Sequence, residues 1–373
     1  MTVAASFQPV EGYVDVDVGR LHYLDWGGSG PQAHFLHGNG FCAGTYAPFV
    51  RLLAPHLHII ASDARGHGGS DFAGIQPVRG WRVFAEDLRA VITATSSPPI
   101  VGMGHSLGAV ATAIAAAAYP GLFRAILLVD PVFLMPGRLA IIGGMRAQGL
   151  GARLPRARAA RRRRKTFRSK TEALKLFLSG RGIFKSWAPE FVEAYLECGL
   201  LEKDSDSAVL TCDPELEARI FESIPLKVWS DVRRVRCPVL AIRGERSDVF
   251  LAEAADRLRR TAPDVEVVTI AGTGHFPTME TPGECAEAIR DFRSGVSRKI
   301  KNAVRLEPRF VAWSQIGCSA GSGRPPAEAI YASTCWMPSR TQKAPGFPAS
   351  RLKCHISRTC RPISVRVSRI ITS

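Results

Sequence analysis

The chain has 373 residues, of which 46% are hydrophobic and 22% charged, and this composition excludes a disordered protein. Its net charge of +16 lies mostly in residues 298–373, where 14 Lys and Arg oppose 2 Asp and Glu (+12), leaving only +4 for the rest. No nucleic-acid-binding motif accompanies the charge, so nucleic acid is disfavoured as a partner.

The sequence suggests a cytoplasmic protein. Its N-terminus lacks the basic start and apolar run of a secretory signal, and the most apolar stretch, Ala109–Ala118, falls short of the roughly 20 residues of a membrane span. Nine cysteines are scattered without a CxxC pair or metal-site spacing. We expect mostly free thiols, with neither a metal nor an organic cofactor.

From residue 12 onward, short β-rich runs alternate with amphipathic runs, which is typical of an α/β fold with helices on both faces of a mostly parallel sheet. An antiparallel hairpin opens the series, and helices are predicted at Trp81–Thr93, Ala109–Ala118 and Leu251–Arg260. The eight predicted strands are Tyr13–Val18, Leu21–Trp26, Ala33–Leu36, His58–Ser62, Ile100–Gly104, Ala125–Val129, Pro238–Ile242 and Val265–Ile270.

The alternation stops between residues 131 and 231, where only helical stretches are predicted, at Thr171–Leu178, Glu190–Leu201 and Pro214–Ser223. We interpret 131–231 as a helical cap inserted after the sixth strand into a core made of residues 1–130 and 232–297. Residues 298–373 lose periodicity and are predicted to be a basic, disordered tail, or equally a non-native extension.

The strongest motif is Gly104-His105-Ser106-Leu107-Gly108, between a predicted strand and a predicted helix. A serine at such a turn needs small neighbours, which Gly104 and Gly108 provide, and the helix N-terminus can stabilise an oxyanion through the Leu107 N–H. The Gly-rich turn His37-Gly38-Asn39-Gly40 offers the Asn39 N–H as a second donor. Gly104 and Gly108 would also suit plain packing of a helix on a sheet, and residues 37–40 could be an ordinary glycine turn at a strand end.

A serine nucleophile needs a base and an acid that orients the base. His275 follows the last predicted strand, at the sheet edge that carries Ser106, and we predict it to be the base. Asp248, after the strand Pro238–Ile242, is the predicted acid, with Asp130 as the competing candidate and Glu245 as a weaker one. Asp248 could also be only the N-cap of the next helix.

HGNG at 37–40, DARGHGGSD at 63–71, GHSLG at 104–108, RGERSD at 243–248 and GTGHF at 272–276 together resemble the α/β-hydrolase superfamily over roughly residues 12–297. The resemblance implies an eight-stranded sheet, a triad of Ser106, Asp248 and His275, an oxyanion hole from Asn39 and Leu107, and a cap. Relatives that open epoxides or remove halogens carry aspartate in place of Ser106, so those activities are disfavoured.

We therefore predict a serine hydrolase that cleaves a carboxylic ester, or a related acyl bond, of a small apolar substrate through an acyl-enzyme. C–C bond hydrolysis and acyl transfer on the same triad are alternatives. A non-catalytic ligand-binding or signalling protein on this fold is an alternative of another class. The aromatic residues Phe184, Trp187, Phe191 and Tyr195 of the cap are candidates for the substrate pocket.

The segment Arg153–Lys170 contains ten Arg and Lys and no acidic residue. The plain interpretation is a solvated face of a cap helix. A weak contact with an anionic membrane surface, or an acidic substrate or partner, is the functional alternative. The sequence predicts no oligomeric state.

Overall fold

The structure, a computed structural model, describes residues 7–17, 19–71, 78, 80–179, 182–204, 207–305 and 367–368, with backbone only for 296–305 and 367–368. Contacts divide the chain into one unit of residues 1–301 and 365–373 and a second unit of 302–364, of which only 302–305 are described.

The strands alternate with helices along most of the chain, as the sequence pattern predicts. They are β1 Val10–Val16, β2 Gly19–Asp25, β3 Gln32–Leu36, β4 His58–Ser62, β5 Ile100–His105, β6 Phe123–Val129, β7 Thr166–Phe167, β8 Leu200–Asp204, β9 Ser207–Leu210, β10 Val239–Gly244, β11 Val265–Ile270 and β12 Val367–Ser368.

Twelve α-helices occur in the described residues, together with short 3₁₀ segments at Ala43–Tyr46, Gly151–Arg153 and Gly182–Ser186. The helices are α1 Ala47–Leu53, α2 Arg82–Thr95, α3 Leu107–Ala118, α4 Pro136–Ala147, α5 Pro155–Arg161, α6 Lys170–Leu178, α7 Pro189–Gly199, α8 Pro214–Glu222, α9 Val228–Val232, α10 Ala252–Thr261, α11 Pro277–Glu280 and α12 Pro282–Arg305.

The main sheet has the order β11-β10-β6-β5-β3-β4-β2-β1, with the two-residue β12 added at the β1 edge. The strands from β11 to β4 run parallel, and β1 and β2 form the predicted antiparallel hairpin. The prediction of an eight-stranded, mostly parallel sheet is confirmed. Because β5, β6, β10 and β11 are neighbours and parallel, their carboxyl ends meet at one edge of the sheet.

The core lies on both faces of this sheet. Successive residues of β6 belong to different buried clusters, Ile126 and Leu128 to one and Leu127 and Val129 to the other, as the period of two in a strand requires. The first cluster includes side chains of α2, α3, α9 and α10, and the second includes side chains of α1, α7 and α12. The central strands are therefore buried on both sides.

Between β6 and β10 lies a segment that we call the insert, residues 131–231. Besides helices α4 to α9 it contains a small antiparallel sheet in the order β7-β9-β8. The prediction of a strand-free insert is wrong, because the predicted helix Glu190–Leu201 ends at Gly199 and the chain continues as β8, which pairs with β9.

Two further predictions concern the ends of elements. The predicted tail begins within α12, whose backbone is helical to Arg305, and the rest of the tail, apart from 367–368, lies outside the described residues. Val18, the predicted end of the first strand, also lies outside them. No helix in the described part of the chain is long and apolar enough to cross a membrane.

Candidate active site

Ser106 lies in a sharp turn between β5 and α3, with φ 53° and ψ −109°. A positive φ is strained for a residue with a side chain and persists only where the surroundings hold it. Here the Ser106 N–H donates to the Val129 carbonyl at 2.9 Å. A Cβ on Gly104 would overlap the backbone of Gly108, and one on Gly108 would overlap that of Leu36. The predicted strand, sharp turn and helix are all present.

A chain of hydrogen bonds runs from this serine into the protein. His275 Nε2 lies 3.0 Å from Ser106 Oγ, and His275 Nδ1 lies 2.8 Å from Asp130 Oδ1. Asp130 follows β6 directly, is fully buried, and accepts from Ser247 Oγ at 2.6 Å and from the Gly244 N–H at 2.8 Å. The carboxylate therefore has three donors that hold it against the imidazole.

The prediction that Asp248 orients His275 is wrong. The Asp248 side chain is 72% exposed and accepts from the guanidinium of Arg156 at 2.7 Å. The turn after β10 instead directs Ser247 inward, where its hydroxyl also accepts from the N–H groups of Val249 and Phe250. Because β6 lies between β5 and β10, the first residue after β6 reaches the histidine, and the competing candidate Asp130 occupies the place predicted for Asp248.

A buried network that sequence reasoning missed supports His275. His105 Nε2 lies 2.8 Å from the backbone carbonyl of His275, and the Tyr46 hydroxyl lies 2.7 Å from His105 Nδ1 and accepts from the Gly38 N–H at 3.1 Å. Burial, reinforced by the nearby His275, lowers the pKa of His105 to about 3, so its ring is neutral. Its Nε2–H therefore donates to the carbonyl, and its Nδ1 accepts from Tyr46.

The turn that contains Asn39 lies against the same elbow. The Gly108 N–H donates to the His37 carbonyl at 3.1 Å, and the Asn39 side chain donates to the Glu217 carbonyl at 3.0 Å. Within the described residues, no acceptor pairs with the backbone N–H of Asn39 or of Leu107. Leu107 opens α3, and first-turn N–H groups of a helix have no partner within it.

A cavity of about 550 Å³ lies over Ser106 and His275. The insert supplies most of its walls, including Phe177 and Phe184, and the core adds Phe41 and Phe276. Of the four aromatic residues predicted for a pocket, Phe184 lines it, whereas Phe191 is fully buried in the hydrophobic core.

A sequence model described as the alpha/beta hydrolase family matches residues 35–288, more than half of the chain. The chain belongs to the α/β-hydrolase family. The resemblance predicted from the motifs is confirmed, and so is the prediction that the chain is a hydrolase.

Curated relatives of the hydrolase include a 2-(acetamidomethylene)succinate hydrolase of Mesorhizobium japonicum, 28% identical over 74% of this chain and 93% of that protein. A pimeloyl-(acyl-carrier protein) methyl ester esterase of Xanthomonas oryzae is 26% identical over 74% of this chain and 99% of that protein. Among solved structures, an E-2-(acetamidomethylene)succinate hydrolase matches with a TM-score of 0.61 at 26% identity, over 77% of this chain and 99% of that one.

Two cysteines of the hydrolase are paired. Cys42, shortly after the Asn39 turn, forms a disulfide with Cys198 of α7, so the expectation of free thiols fails for this pair. Cys212, Cys237 and Cys285 are free. No group of three or more His, Cys, Asp and Glu in the described ranges is arranged to hold a metal ion.

Most of the arginine run is neutralised by the hydrolase itself. Six of its ten basic residues have acidic partners within the described residues: Arg156, Arg161, Arg163, Arg164, Lys165 and Lys170. The interpretation as a freely solvated helix face therefore holds only in part. Contact of Arg153–Lys170 with an anionic membrane surface stays a prediction.

Proposed function

We propose that the protein hydrolyses a carboxylic ester, or a related acyl bond, through an acyl-enzyme on Ser106. The observation that carries the proposal is the continuous hydrogen-bonded series of Ser106 Oγ, the His275 ring and the Asp130 carboxylate at the cavity. A neutral serine is a weak nucleophile, and this series provides both the base that takes its proton and the group that selects the base's tautomer.

In the proposed reaction, Ser106 Oγ attacks the substrate carbonyl carbon while His275 Nε2 takes the hydroxyl proton. The negative charge develops on the carbonyl oxygen, where the N–H groups of Asn39 and Leu107 would donate hydrogen bonds. Collapse breaks the bond to the leaving alcohol, which receives the proton from His275. Water then attacks the acyl-enzyme by the same route and releases the acid.

The type of bond that is cleaved is the more specific part of the proposal. One relative is named as an esterase, and another as a hydrolase of an acetamido compound, so amides belong beside esters in any assay. C–C bond hydrolysis and acyl transfer use the same serine chemistry and remain alternatives, as does binding without turnover.

The proposal is tested with p-nitrophenyl esters of increasing acyl length and the matching anilides. Ser106→Ala is expected to lower kcat by about 10⁴-fold or more, since the residual rate would come from binding and the oxyanion donors alone. Ser179→Ala, an exposed serine that does not line the cavity, is the matched control and should retain wild-type activity.

A fluorophosphonate probe separates catalysis from binding. We expect it to label wild type at Ser106 with one equivalent and to leave Ser106→Ala unlabelled. Turnover that survives Ser106→Ala would refute the nucleophile, and a folded wild type that neither turns over nor reacts with the probe would favour a binding protein.

A cytoplasmic location also remains part of the proposal. The Cys42–Cys198 pair is the observation against it, because disulfides persist mainly in oxidising compartments. Thiol trapping of the protein in its native cells would decide between a cytoplasmic location and an oxidising compartment.

A further inference from the structure

The cavity over Ser106 carries an excess of positive charge on its insert side. Among its described lining residues, Glu217 carries the one carboxylate, whereas four are arginines: Arg156, Arg162, Arg163 and Arg164. Most of the remaining lining is apolar. Electrostatic interactions are stronger and reach farther beside apolar walls than in open water. The excess positive charge therefore acts on any charged group of a ligand that enters the cavity.

Three of the four guanidinium groups are neutralised inside the molecule, in the pairs Arg156–Asp248, Arg163–Glu217 and Arg164–Glu172. Arg162 differs from them. It lines the cavity and is exposed, and it forms no ion pair or side-chain hydrogen bond within the described residues. Among its described lining residues, the cavity therefore retains one uncompensated positive charge.

The backbone next to Arg162 is held in place. Arg163 lies largely buried between the Glu217 carboxylate and the Tyr195 hydroxyl, the latter at 2.7 Å. Arg161 forms ion pairs with Glu215 and Glu222, both at 2.7 Å. Because both neighbours are anchored to other elements, the backbone from which the Arg162 side chain extends is held at the cavity wall.

A guanidinium presents a planar set of N–H donors that matches a carboxylate in charge and in shape. One such group without a partner fits one negative charge. A neutral ester would leave it solvated and gain nothing from it, whereas an ester with a free carboxylate at its far end would be attracted and oriented by it.

We propose that the substrate is a monoanion, an ester or related acyl compound whose acid part carries a free carboxylate, and that Arg162 binds this carboxylate. The inference rests on the proposed function, because it assigns the substrate class of the same cavity. It adds one negative charge to the small apolar substrate expected from the sequence, and the aromatic walls of the cavity still contact the carbon chain of that substrate.

The test compares p-nitrophenyl hydrogen glutarate with p-nitrophenyl pentanoate, two esters with acyl chains of equal carbon count that differ by the terminal carboxylate. In wild type, kcat/KM should favour the glutarate ester. Arg162→Gln should lower kcat/KM for that ester by about ten- to a hundredfold, mainly through KM, since hydrogen bonds to charged groups are of this strength. The pentanoate ester should change by less than about twofold, because it makes no ionic contact.

Arg158→Gln is the matched control. Arg158 belongs to helix α5, which ends directly before Arg162, and it is also exposed, forms no ion pair in the described part of the chain, and does not line the cavity. It should leave both esters unchanged. A loss of similar size in the two arginine variants would show a general charge effect and overturn the assignment of Arg162.

Binding separates this inference from the proposed function. Calorimetry with Ser106→Ala and the intact esters should give at least about tenfold tighter binding of the glutarate ester, and Arg162→Gln in that background should remove the preference. Selective binding by a wild type that does not turn over would refute the proposed hydrolysis and leave the inference standing. Equal affinities, or no binding of the glutarate ester at millimolar concentration, would overturn the inference whether or not the esters are hydrolysed.

Discussion

The floor of the cavity belongs to the central sheet and most of its walls belong to the insert, and the two regions hold their charged groups differently. At the floor, Asp130 is fully buried and held by His275, Ser247 and the Gly244 N–H. In the insert, arginines near the surface form ion pairs that water and salt reach. A carboxylate held in one geometry suits the cleavage of a bond. Charges that water screens and that can change position suit the selection of a substrate.

The largest expected effect contrasts the two aspartates that the sequence offered as acid. Asp130→Asn should lower kcat by about 10⁴-fold, because an amide donates where the carboxylate accepts and so favours the wrong tautomer of His275. Asp248→Asn should change kcat by less than about threefold, since it removes only an exposed pair with Arg156. Steady-state rates on the best p-nitrophenyl ester measure both.

Comparable losses in the two variants would show that the cavity floor and the ion pairs of the insert are not functionally distinct. Circular dichroism and unfolding midpoints of each variant serve as the control for folding. A large loss with Asp248→Asn alone would restore the sequence-based assignment.

The next effect concerns the covalent link between the regions. Cys198→Ala should lower the free energy of unfolding by about 2–4 kcal/mol, because the disulfide to Cys42 closes a long loop in the unfolded chain. Urea unfolding with and without dithiothreitol measures it. Wild type should lose stability with the reductant, the variant should not respond further, and the free cysteine variant Cys237→Ala should respond as wild type does.

If reductant leaves wild type unchanged, Cys42 and Cys198 do not form a disulfide in solution. The link between the segment after β3 and α7 would then rest on packing alone.

The smallest effect concerns the protonation of His34, a histidine buried in the core. Burial lowers the pKa of His34 to about 3, and neither of its ring nitrogens has a hydrogen-bond partner in the described residues. Below pH 6.5, the ordinary pKa of histidine, His34 binds a proton in the unfolded chain but stays neutral in the folded chain. This contribution to stability is thus complete above about pH 6.5 and is lost as pH falls toward 3.

His34→Leu should therefore reduce the pH dependence of the unfolding free energy by about 1.4 kcal/mol per pH unit between pH 6 and 4. Urea unfolding across this range measures it, with His56→Leu as the control, since His56 is exposed to water in the folded state as well. An unchanged slope in His34→Leu would mean that His34 is protonated inside the sheet.

Much of the fold could be predicted because its signals are local. Alternating strands and helices follow from periodicity, and the elbow at Ser106 follows from two glycines around a serine. His105 and Tyr46 were missed because their role depends on a network between segments distant in sequence, and their residue types carry no signal of it. The small sheet of β7, β8 and β9 was missed because β8 directly continues a helix.

By itself, the sequence determined the order of the strands along the chain, the serine of the sharp turn and the histidine that follows the last strand of the parallel series. Only the tertiary structure decided which aspartate meets that histidine and which arginine remains free. Both depend on the direction of side chains at the ends of elements and on partners more than 40 residues away, such as Ser247 for Asp130 and Glu217 for Arg163. Local periodicity specifies an element, whereas long-range packing specifies where each of its side chains points.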